Sequence, residues 1–210
     1  MSLNKIAYFV ASRLNEPLND VLVEEIKFAI SYWRSYLIRQ DVERNGQTGE
    51  YVQTMTIPVQ LIDASDNCYI EVGCKVLRTI EKVPAPVNIK GDAPFNYVGT
   101  VNMKKPFGFR NQSTIAFSFT GKHNQIFYTF NNGYIYVWGN NKIDYINISG
   151  IFKDPMEAME LCINSTNCTE DEDVYLMPSH MEQIIVEGLL NGTFALRPLK
   201  NEVLTRDAED

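Results

Sequence analysis

The chain has 210 residues, 45% of them hydrophobic and 21% charged, which is enough apolar material for one large domain or a domain with an appended element. Its formal charge of −7 argues against nucleic-acid binding as the main task, because neutralising phosphates needs a basic face. No apolar run approaches the roughly 18 residues of a membrane-spanning helix, and the short amphipathic stretch Ile6–Val10 reads as a helix rather than a secretory leader, so the expected setting is a cytoplasm.

Residues 3–14 predict a first helix with Ile6, Phe9, Val10 and Leu14 on a shared side. Asn15-Glu16-Pro17 ends it, since the residue before a proline avoids the helical region. From Asn19 to Gln40, residues Leu22, Ile26, Ala29, Ile30, Trp33 and Leu37 recur at the three- and four-residue steps of one helical face. Asn19 or Asp20 can cap the start, while Glu24 and Glu25 lie near the positive end of the dipole and Arg34 and Arg39 nearer its negative end. With no glycine or proline before Gly46, this helix runs for about 25 residues, or roughly 37 Å. It is expected to act as a spine against which a β-rich body packs.

In the strand from Tyr51 to Ile62, Val52, Thr54 and Thr56 alternate with a buried set of Met55, Ile57, Val59 and Leu61. Pro58 cannot donate to a ladder, which places the strand at an edge or breaks it there. Tyr69–Val72 and Val76–Ile80 predict two short strands, and Val83-Pro84-Ala85-Pro86-Val87 an extended segment. Residues 88–112 lack periodicity and read as a long ordered loop in which Lys104, Lys105 and Arg110 surround Phe107 and Phe109. That loop is either a partner contact or a solvated excursion with its phenylalanines tucked inward.

Asn132-Gly133, between two aromatic and β-branched runs, predicts a hairpin with a type I′ turn. Ser113–Phe119 before it and Lys142–Phe152 after it complete an expected antiparallel meander. Pro155 after Asp154 starts a short helix whose Met156, Met159 and Leu161 pack back on the sheet. A last helix follows Met177-Pro178, with Ser179 and Glu182 at capping-box spacing and Asn191-Gly192 at its end. The expected architecture is thus α+β: an N-terminal helical pair (3–45) with one long helix packed against an antiparallel β meander in a β-rich body (50–152), then a C-terminal helical part (155–192) and a solvated tail (198–210). All of it forms a single domain over 1–210.

Chemistry has few footholds. Cys68 and Cys74, like Cys162 and Cys168, are separated by five residues, wider than a structural zinc spacing, and neither histidine is near a cysteine in sequence. Free or buried thiols are the expectation, with no metal and no cofactor. His123 falls in a turn and His180 in a helix's first turn, both reading as solvent-facing, and the Asp171–Asp173 run reads as a solvated loop. No phosphate-binding glycine loop, Gly-x-Ser-x-Gly elbow or His-Glu-x-x-His pair occurs, so no catalytic residues are assigned and no enzymatic activity is expected.

The order of these elements carries a resemblance. A short helix precedes a long one bearing Trp33-Arg34-Ser35-Tyr36-Leu37; a Pro58-bearing strand and Arg78 with Val83-Pro84 follow. Then come the Asn-Gly hairpin, Gly150-Ile151-Phe152-Lys153-Asp154-Pro155 and the helix begun by Met177-Pro178-Ser179. Over roughly residues 3–192 this resembles the ring or adaptor proteins of the head–tail connector in tailed phages, particularly short-tailed crAss-like ones. Many relatives have an acidic residue where this chain has Lys153.

The resemblance implies a non-enzymatic virion protein assembled in the host bacterial cytoplasm, forming a dodecameric homo-oligomeric ring beneath the portal protein. It would join other connector or tail proteins, line the DNA channel with only passive contact to packaged DNA, and touch no membrane. Candidate interface residues are Tyr32, Trp33 and Tyr36 on the long helix and Phe107 and Phe109 on the aperiodic loop, although Trp33 also reads as plain core. Two alternatives stay open. One is another tail or baseplate component; the other is a carbohydrate- or ligand-binding β module using Tyr134, Tyr136 and Trp138, which alternate onto one side of a strand.

Overall fold

In the computed structural model, Ser2 caps the first helix, α1 (Leu3–Arg13), by accepting from the Lys5 N–H at 3.3 Å. The structure describes residues 2–46, 49–63, 75–87, 93–111, 114, 126–139, 142–161 and 175–194. The four cysteines, His123, the Asp171–Asp173 run, the expected strand at 69–72, nearly all of that at 113–119 and the tail at 198–210 lie outside them. Ile6 and Val10 of α1 are buried as expected, whereas Phe9 faces outward beneath the Arg13 guanidinium, 5.2 Å from its ring centre.

The long helix, α2 (Asp20–Asn45), starts at Asn19, whose Oδ1 accepts from the Leu22 N–H at 3.1 Å, and stops at Gly46 with φ of 82°. Its buried face carries Leu22, Ile26, Ala29 and Ile30 and continues through Arg34, Ile38 and Val42. Trp33 and Leu37 flank that face, half-buried. This helix does not lie flat on the sheet. Its first two-thirds pack on α1 and on the last helix, α4 (Ser179–Leu190), in a helical core with Ile185, Leu189 and Tyr175. Its last third packs on segments that flank the strands, where Ile38 and Val42 meet Tyr51, Val87, Ile151 and Met181.

The strands are β1 (Gln53–Asp63), β2 (Lys75–Thr79), β3 (Tyr97–Gly99), β4 (Gly108–Phe109), β5 (Phe127–Asn131), β6 (Tyr134–Trp138) and β7 (Tyr145–Gly150). They form one sheet in the order β3-β7-β1-β2-β6-β5-β4, antiparallel except for the β4–β5 pair. The α+β class is therefore as expected, but the meander is not. The Asn132-Gly133 turn does form the β5–β6 hairpin, with φ of 51° and 83°. The next strand, β7, leaves the hairpin and pairs with β1 and β3 instead.

That relocation rests on β1, which changes partners midway. Gln53–Pro58 pair with β7 and Val59–Asp63 with β2. Pro58 is thus central rather than at an edge. Its carbonyl accepts from the Ile80 N–H at 3.1 Å, so its missing donor falls at the last rung of the β1–β2 ladder and interrupts nothing further along. Beyond the switch the expected burial changes: Leu61 is exposed, while Ile62 is buried on the opposite face against Val76, Phe127, Tyr136 and Trp138.

The aperiodic loop turns out to be the seam. Val98 O accepts from the Phe107 N–H at 2.7 Å, Lys105 O accepts from the Thr100 N–H at 3.1 Å, and Gly99 bridges Pro106. These bonds join β3 to β4, the two ends of the strand order, and close the sheet into a small barrel. Its interior holds Met55, Ile57, Leu77, Val98, Phe107, Tyr128, Ile135, Val137, Ile146 and Ile148. The extended 83–87 segment runs beside residues 151–153, with Val87 N donating to Ile151 O at 2.7 Å.

Asp154 caps the short helix α3 (Pro155–Glu160), its Oδ1 accepting from the Met156 N–H at 2.8 Å. Met156 packs on the helical core while Ala158 and Leu161 pack on the barrel. At α4 the capping box does not form. Pro178 is the capping residue and Ser179 already lies in the helix, so no side chain caps that end. Gly192, with φ of 68°, closes the other end as expected.

Candidate interaction surface

One face of α2 remains uncovered, and its residue steps explain why. Val21, Phe28, Tyr32 and Tyr36 follow one another at seven, four and four residues, opposite the buried stripe. Phe28 is 75% exposed, Tyr32 57% and Tyr36 44%. Single exposed apolar residues are ordinary, whereas here three aromatic rings run contiguously along one helix. Together with Ser31, Ser35, Arg39, Val87 and Lys153 they line an open groove of about 440 Å³ between α2 and the 85–87 and 153 backbone.

The rings are held in place. Trp33 meets Tyr32 and Tyr36 edge-on, at 5.4 and 5.5 Å between centroids, and stacks on Phe194 at 3.9 Å. The Gln40 amide donates to the Tyr36 hydroxyl at 2.7 Å. Side chains fixed before binding lose less entropy when a partner arrives. At the groove's end Arg39 is shared with Glu43 at 3.1 Å, and Lys153 is exposed on the opposite wall.

Beneath the groove, Arg34 anchors the helix. It is fully buried, its Nε donating to Leu176 O at 2.7 Å and its Nη1 to Phe152 O at 2.9 Å, with the guanidinium 5.6 Å from the centre of the Tyr175 ring. Burial holds its pKa below the ordinary arginine value, an effect opposed by Tyr175 and Asp154. A buried cation held by carbonyls and a ring fixes one relation between helix and barrel, because any shift strands its charge.

Of the residues singled out from the sequence, the fold brings Tyr32, Trp33 and Tyr36 together, with Trp33 as a backing rather than an outer surface. Phe107 and Phe109 are elsewhere, at the barrel seam. Phe107 is only 5% exposed, inside the barrel, and Phe109 packs on Tyr128 at 5.4 Å. Exposed apolar residues of that loop are Val101 and Met103, beside Lys104 and Lys105. Tyr136 and Trp138 are buried and Arg78 covers Tyr134 at 4.7 Å, so that strand presents no open aromatic platform.

Phe28 and Val21 went unnoticed in the sequence although their spacing to Tyr32 carries them. Arg34, at four residues from both Ile30 and Ile38, carried the same signal for a buried cation. His180 is exposed, as expected. Among the described residues no group of three or more His, Cys, Asp or Glu side chains is placed to hold a metal ion. No helix among them is long and apolar enough to cross a membrane.

The groove is aromatic, half-open, rimmed by Arg39 and Lys153, and its rings are fixed by their neighbours. Among curated proteins no match is found. The family model described as phage tail ring protein 2, of the crAss-like phages, matches residues 5–203, nearly the whole chain, and the chain belongs to that family of phage tail ring proteins.

Proposed function

We propose that this chain is a non-enzymatic structural subunit of the virion, forming a dodecameric ring in the head–tail connector below the portal and lining the DNA channel. The family match over residues 5–203 carries the reading. Ring subunits must each offer surface to a neighbour, and the aromatic groove of α2 supplies it through Tyr32 and Tyr36, with Trp33 as their support. In this reading Phe107 and Phe109 stiffen the seam instead of touching a partner.

The net charge of −7 suits a channel wall, since an acidic surface repels phosphates and lets DNA slide past. Assembly takes place in the host bacterial cytoplasm, on the portal and beside other connector or tail proteins. Quantitative mass spectrometry of purified particles tests this. About twelve copies per particle is the expected result for a single twelvefold ring. Absence from particles, with abundant free protein in the lysate, overturns it.

A further inference from the structure

We infer that in the assembled ring the Thr100–Lys105 hairpin of one subunit seats on the N-terminal half of α2 of the next. The inference rests on the ring reading and deepens it by naming the two faces that meet.

The hairpin is built to be presented. Asn102 Oδ1 accepts from the Thr100 hydroxyl at 2.8 Å and from the Lys104 N–H at 3.1 Å, and Thr100 Oγ1 accepts from the Lys105 N–H at 3.2 Å. Met103 N donates to Thr100 O at 2.8 Å. These bonds hold Met103 at φ of 56°, an uncommon conformation for a long side chain, and leave Val101 and Met103 half-exposed in water beside Lys104 and Lys105. A rigid tip that combines apolar contact with positive charge asks for an apolar, acidic partner face.

The chain carries such a face. Val21 and Phe28 stand out from the first half of α2, 69% and 75% exposed, with Asp20, Glu24 and Glu25 around them. Lys27 already shares Glu24 at 2.7 Å, so the surplus is negative. Farther along the same groove Arg39 is shared with Glu43 at 3.1 Å, and the sign reverses at Lys153. Attraction at one end and repulsion at the other therefore select a single register for a lysine-bearing tip. Because the hairpin closes the barrel and the acidic face belongs to the helical layer, the two faces are different. Different faces give head-to-tail contacts, which close into rings instead of stopping at a pair.

Zero-length carbodiimide cross-linking of purified particles tests the pairing. A band at twice the subunit mass is expected to contain Lys104 or Lys105 joined to Asp20, Glu24 or Glu25. Self-linked bands joined only through other residues overturn the pairing while leaving the ring intact. If the chain yields no self-linked band, the ring reading falls with it. A second measurement uses charge reversal. Lys104→Glu with Lys105→Glu is expected to lower incorporation into particles about tenfold, and adding Glu24→Lys with Glu25→Lys to restore it. A reversal that leaves the copy number unchanged overturns the pairing, as does failure of the fourfold variant to recover.

Discussion

The helical layer and the barrel bury their side chains by different rules. In the layer, α1, α2 and α4 each commit one stripe to a shared core, and α2 is left with a second, aromatic stripe in water. In the barrel the sheet closes on itself. One face points into the interior, and part of the other is covered by the cluster of Ile62, Phe127, Tyr136 and Trp138. The aromatic residues of the β-rich body are thus mostly spent on the fold, while those of α2 remain available. Counting aromatics along a sequence does not separate these cases; the number of faces an element must bury does.

One tryptophan reports on each region, Trp33 beside the helical core and Trp138 on the barrel. Single-tryptophan variants made by Trp138→Phe and Trp33→Phe can therefore follow the two separately during urea unfolding. The largest effect is expected for Arg34→Met, which strands the carbonyls of Phe152 and Leu176 at the joint. A loss of about 3–5 kcal/mol should follow, with the Trp33 transition moving to lower urea and parting from that of Trp138. If both transitions move together, the regions fold as one unit and the comparison is broken.

Gly99→Ala tests the other side. A Cβ there would run into the Lys105 carbonyl and the Tyr97 ring, so the seam must open. The expected cost is about 2–3 kcal/mol, read by Trp138 with little change at Trp33. Gly133→Ala should cost about 1 kcal/mol in the same signal, because φ of 83° strains any side chain at the hairpin turn.

The smallest effect concerns acid. The Asp41 carboxylate accepts from the Tyr51 hydroxyl at 2.6 Å and from the Asn45 amide at 2.7 Å, which holds its pKa below the ordinary aspartate value. A depressed folded-state pKa means stability that is present above the unfolded value and lost as pH falls through the folded one. The group is only partly buried and its charge is screened by water, so a few tenths of a kcal/mol is the expected size. Asp41→Asn should flatten that part of the acid titration. An unchanged titration would show that this contact adds nothing to the joint.

Much of the helical layer was legible because its signals are local. The cap at Asn19, the stop at Gly46 and the buried stripe of α2 each depend on residues within a few turns. The Asn132-Gly133 turn was legible for the same reason. The barrel's order was not, since nothing near Tyr145 states that it will face Pro58 rather than the hairpin before it. The Ser179–Glu182 spacing misled because Pro178, already extended at ψ of 143°, takes the capping position one residue earlier. Along the uncovered face of α2, Tyr32 and Tyr36 were visible as aromatic residues on a helix. Phe107 looked equivalent until closure of the sheet placed it inside.

The seam made by Thr100–Pro106 has one more consequence. An open sheet presents at each border a row of unpaired N–H and C=O groups, which any passing strand can extend. A ring protein's copies come together, and open borders there would let one backbone extend another. By bonding β3 to β4 the chain removes those borders before it meets its neighbours. What the closed sheet offers outward is then side chains, whose shape and charge can choose a partner, in place of free backbone, which cannot.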